Sequence, residues 1–229
     1  MTNSILQTRD LAKHYGSGAS RFDALRGVSL DIASGESVAI IGKSGSGKST
    51  LMHLLALLDE PSAGVVEVSG SDARKLRAGE LNALRNRTFG FVFQQFFLTP
   101  SASVLDNVVL PLKIARVGSR ERRRRGMAAL EQLDMAEKAG KKAVTLSGGQ
   151  KQRVVIARAL VTEPQVIFAD EPTGNLDSVT GRAVEDILFS LNRDRGITLV
   201  VVTHDEELAA RCDRQLHMRD GVLVEAVAA

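Results

Sequence analysis

The chain has a single cysteine, Cys212, so no internal disulfide can form and no cysteine ligand set for a metal exists. That fits a reducing, cytoplasmic setting. An excess of charge of one sign is also missing: the net charge over 229 residues is only +3, without the global basic signature of a nucleic-acid binder. Long apolar runs are absent. The stretch 199–202 is among the longest, far short of the roughly 20 residues a membrane helix needs. The first residues show no basic segment followed by an apolar one, so no secretory signal is expected. Work at a membrane would therefore require another chain to span it. Repeats, low-complexity tracts and linkers are lacking too.

What is present is a chain able to bury a real core, with 44% hydrophobic and 25% charged residues. Positive charge is concentrated locally, at Arg120, Arg122, Arg123, Arg124 and Arg125. That run reads as a solvated helix face, with contact to anionic lipid headgroups as the sharper alternative. Strands are expected at 5–15, 24–32, 38–41, 65–68, 89–93, 166–169 and 197–202, and a closing hairpin around Asp220-Gly221. Helices are expected at 49–58, 79–85, from about 127, from 148, at 184–191 and at 206–211. The short all-apolar runs at 38–41 and 166–169 have the pattern of strands buried on both faces. Strands alternating with helices imply a largely parallel sheet covered on both sides, an α/β fold. Between Gln94 and Thr145 the prolines, the arginines and the helical spacing suggest an inserted helical lobe.

Three stretches carry chemistry. Residues 42–49, Gly-Lys-Ser-Gly-Ser-Gly-Lys-Ser, fit the phosphate-loop pattern G-x-x-x-x-G-K-[ST] between a strand and a helix. Glycines Gly42, Gly45 and Gly47, with Ser44, Ser46 and Thr50 around them, let backbone N–H groups wrap phosphates. Lys48 reaches the β and γ phosphates of a nucleotide, and the Ser49 hydroxyl ligates Mg²⁺. The strand 166–169 delivers Asp170 and Glu171 at its carboxyl end, where ligands of such sheets sit. Asp170 is placed to hold Mg²⁺ and Glu171 to polarise a water; read alone, the pair would simply cap the turn before Pro172. The third stretch, Leu146-Ser147-Gly148-Gly149-Gln150, opens a helix with a serine and two glycines, a second anion site. Two phosphate cradles in one small chain call for an explanation.

With these residues the chain resembles the nucleotide-binding subunit of ATP-binding-cassette (ABC) transporters along nearly its whole length. Residues 146–150 look like that family's signature motif. Gln94, which directly follows Phe91-Val92-Phe93, matches the Q-loop glutamine, a sensor of Mg²⁺ and the γ phosphate. Asn175-Leu176-Asp177 matches the D-loop, His204 the switch histidine and Tyr15 the aromatic that stacks on adenine. Taken singly, His204 is also a plausible cap or surface histidine and Tyr15, the only tyrosine, a plausible core ring. The strings 91–94, 170–177 and 203–205 are similar to the group of lipoprotein-release, macrolide-export, haem-export and cell-division cassettes. A Glu-Arg-Gly-containing loop before the signature, typical of fused multidrug exporters, is replaced by Lys142-Ala143-Val144-Thr145.

The resemblance implies a single ATP-binding domain over 1–229, with a core about 1–93 and 162–229 and a helical subdomain about 94–161. It implies MgATP hydrolysis, with Glu171, His204, Lys48 and Gln94 as catalytic groups and Ser49, Gln94 and Asp170 around Mg²⁺. It also implies a head-to-tail homodimer in which Ser147, Gly148, Gly149 and Gln150 of one copy complete the other's nucleotide site, with Asn175 and Asp177 at the contact. A separate permease is expected around residues 94–100, at the cytoplasmic face of a membrane, with no nucleic-acid partner. Its substrate is expected to be hydrophobic, such as a lipoprotein, an antimicrobial or haem. The competing expectation is a cassette that signals to cell-wall or cell-division machinery through a membrane partner without moving a solute.

Overall fold

The computed structural model describes residues 4–228. They form two compact units, one built from the residues through Arg85 together with those from Asn192 on, the other Asn86–Leu191. The chain enters the first unit with β1 (Ser4–Tyr15), β2 (Phe22–Ala33), β3 (Ser37–Ile41), α1 (Lys48–Leu55), β4 (Ala63–Val68) and β5 (Ser71–Asp72). Helix α2 (Ala78–Thr88) leads out of it. The second unit holds β6 (Phe89–Phe93), α3 (Val104–Val108), α4 (Leu110–Ile114), α5 (Ser119–Glu131), α6 (Gly148–Leu160), β7 (Val166–Asp170) and most of α7 (Ser178–Arg195). The chain returns to the first through β8 (Thr198–Thr203), α8 (Glu206–Ala210), β9 (Arg214–Arg219) and β10 (Val222–Ala228).

Two kinds of sheet share the first unit. An antiparallel sheet of order β2-β1-β4-β5 places Leu6 opposite Ile32 and Leu11 opposite Val28, all four buried. Alternation along β1 slips at Asp10, which takes a left-handed φ of 47° as a bulge between Thr8 and Leu11. Strand β3 is different. It lies between parallel partners, β8 on one side and β9 on the other, and residues 37–40 are all buried. A strand hydrogen-bonded on both edges and covered on both faces has no polar side to show, which is why its sequence is a continuous apolar run.

In the second unit β6 and β7 pair in parallel from Phe89 opposite Val166 to Phe93 opposite Asp170. Phe168 meets Phe89 edge-on at 5.2 Å and stacks with Phe91 at 5.9 Å. Helix α6 lies close against β6 because Gly90 has no side chain; a Cβ there would come within 2.8 Å of the Ala159 carbonyl oxygen. Gly126 of α5 leaves the same kind of gap for Leu105 and Val109.

Most elements fall where expected; β5 was not expected, α3 and α4 were expected only as part of a helical lobe, and the differences at element ends have physical causes. Helix α7 starts at Ser178 rather than 184, because its first turns are polar and invisible to apolar periodicity. Its start is instead fixed by Asp177, whose Oδ1 accepts from the Thr180 amide at 3.0 Å. Helix α5 begins at Ser119, so the arginines lie on the helix itself; Glu121 pairs with Arg124 and Arg125. Pro111 opens α4 rather than breaking a helix, as its missing N–H allows in a first turn.

The loop 42–47 joins β3 to α1 and is braced by the turn between β9 and β10, which β2 holds in turn. The Gly221 amide, in the turn between β9 and β10, donates to the Ser46 carbonyl at 3.0 Å, and the Arg26 amide donates to the Gly221 carbonyl at 2.9 Å. Gly47 sits at φ 101°, and a Cβ there would lie 2.6 Å from the Ala24 carbonyl oxygen and 3.0 Å from Leu25 Cδ2. At Gly42 a Cβ would run into the Met218 carbonyl oxygen. Gly47→Ala is therefore expected to lower stability by about 2–4 kcal/mol, combining overpacking with a disfavoured φ, as read from the denaturant midpoint. Cys212 offers a check on the core: it is 2% exposed, and burial pushes its thiol up to about 12. It should resist a thiol reagent at pH 8 in the native protein and react fully in denaturant.

Candidate functional site

Nucleotide-type chemistry in the first unit collects at the carboxyl ends of β3 and β8. These strands pair in parallel, with Ile41 opposite Thr203, so Gly42 and His204 are the next residues out on neighbouring strands. Thr203 is buried and His204 is exposed. The exit is held by Asp205, which caps α8 by accepting from the amides of Glu207 at 2.8 Å and Leu208 at 3.2 Å. Its own amide donates to Thr203 Oγ1.

The loop between them is lined with donors. Lys48 Nζ curls over the loop and donates to the carbonyls of Gly42 at 2.7 Å and Lys43 at 3.0 Å. The Ser46 hydroxyl is buried without a hydrogen-bond partner among the described residues. Ser44, Gly45 and Ser49 are exposed, and Thr50 is half-buried on the first turn of α1. Gly45 faces open space, with nothing within 4 Å of where a Cβ would stand, while Gly42 and Gly47 let the loop pack against the Met218 and Ala24 carbonyls. A cation, an orphaned hydroxyl, a helix start and a cradle without side chains fit a phosphate chain.

Tyr15 ends β1 with its ring 43% exposed. Its hydroxyl donates to Asp59 Oδ2 at 2.9 Å, and Lys13 Nζ donates to Asp59 Oδ1 at 2.7 Å. Burial and the Asp59 acceptor raise the phenol above its usual value, against the opposing influence of the Thr50 hydroxyl and Lys13. Burial also works against the Asp59 charge, but hydrogen bonds from Lys13 and Tyr15 outweigh it and hold the carboxyl below its usual range.

In the second unit the register of β6 with β7 does for Gln94 what β3 and β8 do for His204. Phe93 faces Asp170, so Gln94 and Glu171 follow side by side at the carboxyl edge. Asp170 and Glu171 are both half-buried, and Glu171 takes a left-handed φ of 46°. A non-glycine residue in that region is strained, and such strain concentrates where side-chain aim matters. The next residues fold back: the Gly174 amide donates to the Glu171 carbonyl at 3.1 Å, and Asn175 Nδ2 donates to the Gln94 carbonyl at 2.8 Å. Gly174 makes room for Gln94, whose Nε2 would lie 2.9 Å from a Cβ there. Hydrogen bonds from Thr180, its backbone amide first, hold Asp177 below the usual carboxylate range.

The signature stretch starts α6 as a full capping box. Ser147 Oγ accepts from the Gln150 amide at 3.4 Å, and Gln150 Oε1 accepts from the Ser147 amide at 3.2 Å. Gly149 is needed within the chain itself, since a Cβ would strike the Thr180 methyl; at Gly148 a Cβ would meet Leu176 Cδ2 at a tolerable 3.3 Å. Further along α6, buried Gln152 donates from Nε2 to the Pro172 carbonyl at 2.7 Å. Arg158 donates to the carbonyls of Phe97 at 2.7 Å and Phe96 at 3.0 Å. One helix thus ties the signature to the segments that follow Glu171 and Gln94.

The segment 94–100, where a permease is expected, includes Gln95, Phe96 and Phe97, and an outward-facing contact surface needs them exposed. Gln95 and Phe97 are, Phe97 at 64%, but Phe96 is half-buried with Lys151 Nζ over its ring at 5.9 Å. Reasoning from sequence missed Lys13, Asp59, Gln152, Arg158 and Gly221. Their partners are far away in the chain, so no local pattern could reveal them.

Comparison with known proteins agrees with this geometry. A family profile described as "ABC transporter" matches residues 25–174. The chain is 49% identical over 222 residues to the lipoprotein-releasing system ATP-binding protein LolD of Bordetella pertussis, covering 97% of this chain and 96% of that one. It is 46% identical over 222 residues to the uncharacterised ABC transporter ATP-binding protein YbbA of Escherichia coli, covering 97% of each. Among solved structures it resembles the dimeric ATP-binding cassette MJ0796 in a post-hydrolysis state bound to ADP and Pi. The TM-score there is 0.88 at 40% identity, covering 97% of this chain and 98% of that one. The chain belongs to the ABC transporter family, as an ATP-binding cassette.

Proposed function

We propose that this chain is the ATP-hydrolysing subunit of a membrane transporter, acting as a head-to-tail dimer beneath a separate permease, with a hydrophobic substrate such as a lipoprotein. The observation that carries the reading is the pair of anion-ready loops. One is the braced, donor-lined loop 42–47; the other is the capped start of α6, tied by Gln152 to the segment after Glu171. A relative carrying the name of a lipoprotein-releasing system, at 49% identity over nearly the whole chain, supports the substrate class.

In this proposal the loop 42–47 and Lys48 grip the phosphates, and Tyr15 stacks on the adenine. Glu171 accepts a proton from the attacking water, and His204 orients that water and holds the γ phosphate. Lys48 offsets charge on the transferred phosphoryl group. Ser49, Asp170 and Gln94 would hold Mg²⁺, which would supply positive charge against the phosphates. Ser147, Gly148, Gly149 and Gln150 close on the partner copy's nucleotide, with Asn175 and Asp177 at the contact. The permease rests on the loop 94–100, where Arg158 fixes the backbone and Phe97, at φ 44°, is displayed outward. No helix among the described residues is long and apolar enough to cross a membrane. In this reading the subunit works from the cytoplasmic face of the membrane that holds the permease.

Glu171→Gln is expected to slow turnover by about 10²–10⁴-fold while ATP still binds and a dimer accumulates on size-exclusion chromatography. Undiminished turnover would remove Glu171 as the base. Gly148→Asp tests the second loop, because that position, unlike Gly149, has little packing role in its own chain. ATP binding to the monomer should stay within about twofold while dimerisation and hydrolysis fail; unchanged hydrolysis would rule out a composite site.

A further inference from the structure

We propose that Asp59, together with Lys13, is a positioning pair that fixes the Tyr15 ring as a rigid platform for the adenine base. This rests on the reading of Tyr15 as the adenine-stacking residue. Lys13 and Tyr15 are two apart on β1 and so share a face of the strand. Asp59 lies just beyond α1 and bridges both, with one carboxylate oxygen on the phenol at 2.9 Å and the other on the ammonium at 2.7 Å. Lys13 Nζ also donates to the Glu60 carbonyl at 2.7 Å, and the Glu60 amide donates to Asp59 Oδ1 at 2.7 Å, so the carboxylate cannot swing. The segment is stitched to β1 again at Ser62, whose amide donates to the Ala12 carbonyl and whose hydroxyl accepts from the His14 amide.

Two consequences follow for the ring. The Lys13 ammonium sits 5.0 Å from the ring centroid, occupying one face by cation–π attraction and leaving the other for a base. The hydroxyl anchor removes ring freedom before a ligand arrives, so less ordering entropy is lost on binding. The anchor also accounts for a tyrosine at this position in a chain with eight phenylalanines and no other tyrosine: phenylalanine would supply the ring but not the tether. Because Asp59 closes the segment after α1 and Thr50 of α1 acts on the same phenol, the base platform is tied to the helix that begins at the phosphate loop.

The chain has one tyrosine and no tryptophan, so ultraviolet emission excited at wavelengths too long for its phenylalanines to absorb reports on Tyr15 alone. The experiment compares ATP with inorganic tripolyphosphate, which lacks a base, in the full chain and in Tyr15→Phe, Asp59→Asn, the double variant and Tyr15→Ala. Tyr15→Phe and Asp59→Asn should each weaken ATP binding by about three- to tenfold, the size of one lost hydrogen bond. Tripolyphosphate affinity should stay within about twofold in both. The double variant should be no weaker than the weaker single one, since both remove the same contact. Asp59→Asn should also brighten Tyr15 emission without nucleotide, because a carboxylate acceptor quenches a phenol. Losses that multiply in the double variant would overturn the proposal. So would a Tyr15→Phe variant that binds ATP as the parent does while Tyr15→Ala is weak; stacking would then stand and the tether fall. A Tyr15→Ala variant with undiminished ATP affinity would remove the stacking reading itself, and the proposal with it. If Asp59→Asn fails to fold, Tyr15→Phe with the tripolyphosphate control decides the question.

Discussion

Parallel pairing of short buried strands is the constraint from which the candidate site follows. Two adjacent parallel strands end at the same edge, and the residues just past their ends become neighbours whatever their separation in sequence. Ile41 opposite Thr203 places Gly42 beside His204 in the first unit. Phe93 opposite Asp170 places Gln94 beside Glu171 in the second. Each pair unites residues more than seventy positions apart. A register slip in either strand pair would move the reactive residue and expose an apolar face, so the burial that stabilises the strands also sets the chemistry.

Glycine carries the second half of the design, and for two separate reasons. Gly47 is needed because its φ and the nearby Ala24 carbonyl both exclude a side chain, which lets the loop wrap closely. Gly149, in the signature, is needed to make room for Thr180 within the same chain, quite apart from any role toward a ligand. A glycine in a binding motif can therefore serve packing first and recognition second.

Helix α6 integrates the second unit. Its start is a capping box, its middle holds the Pro172 carbonyl through Gln152, and its end holds the Phe96 and Phe97 carbonyls through Arg158. Burial lowers the Arg158 pKa, yet its donors are matched to backbone carbonyls rather than to a carboxylate, so charge is used as a clamp on loop conformation. A shift of α6 along its axis would be felt at the segments after Glu171 and after Gln94 together.

Much of this was legible from the amino-acid order. Apolar runs marked β3 and β7, periodicity marked α6, and the glycine, aspartate and histidine motifs named the residues that gather at the strand ends. Those signals are local, so they survive without a structure. Helix ends hidden in polar turns were less visible, as at α7, because capping by Asp177 replaces apolar spacing there. Three things were settled only by the tertiary structure: the brace of Gly221 on the phosphate loop, the clamp of Arg158 on the loop after Gln94, and the bridge from Asp59 to Lys13 and Tyr15. Each joins residues more than forty positions apart through one or two hydrogen bonds. Such bonds leave no periodic trace in a sequence, since their partners are chosen by packing in space rather than by spacing along the chain.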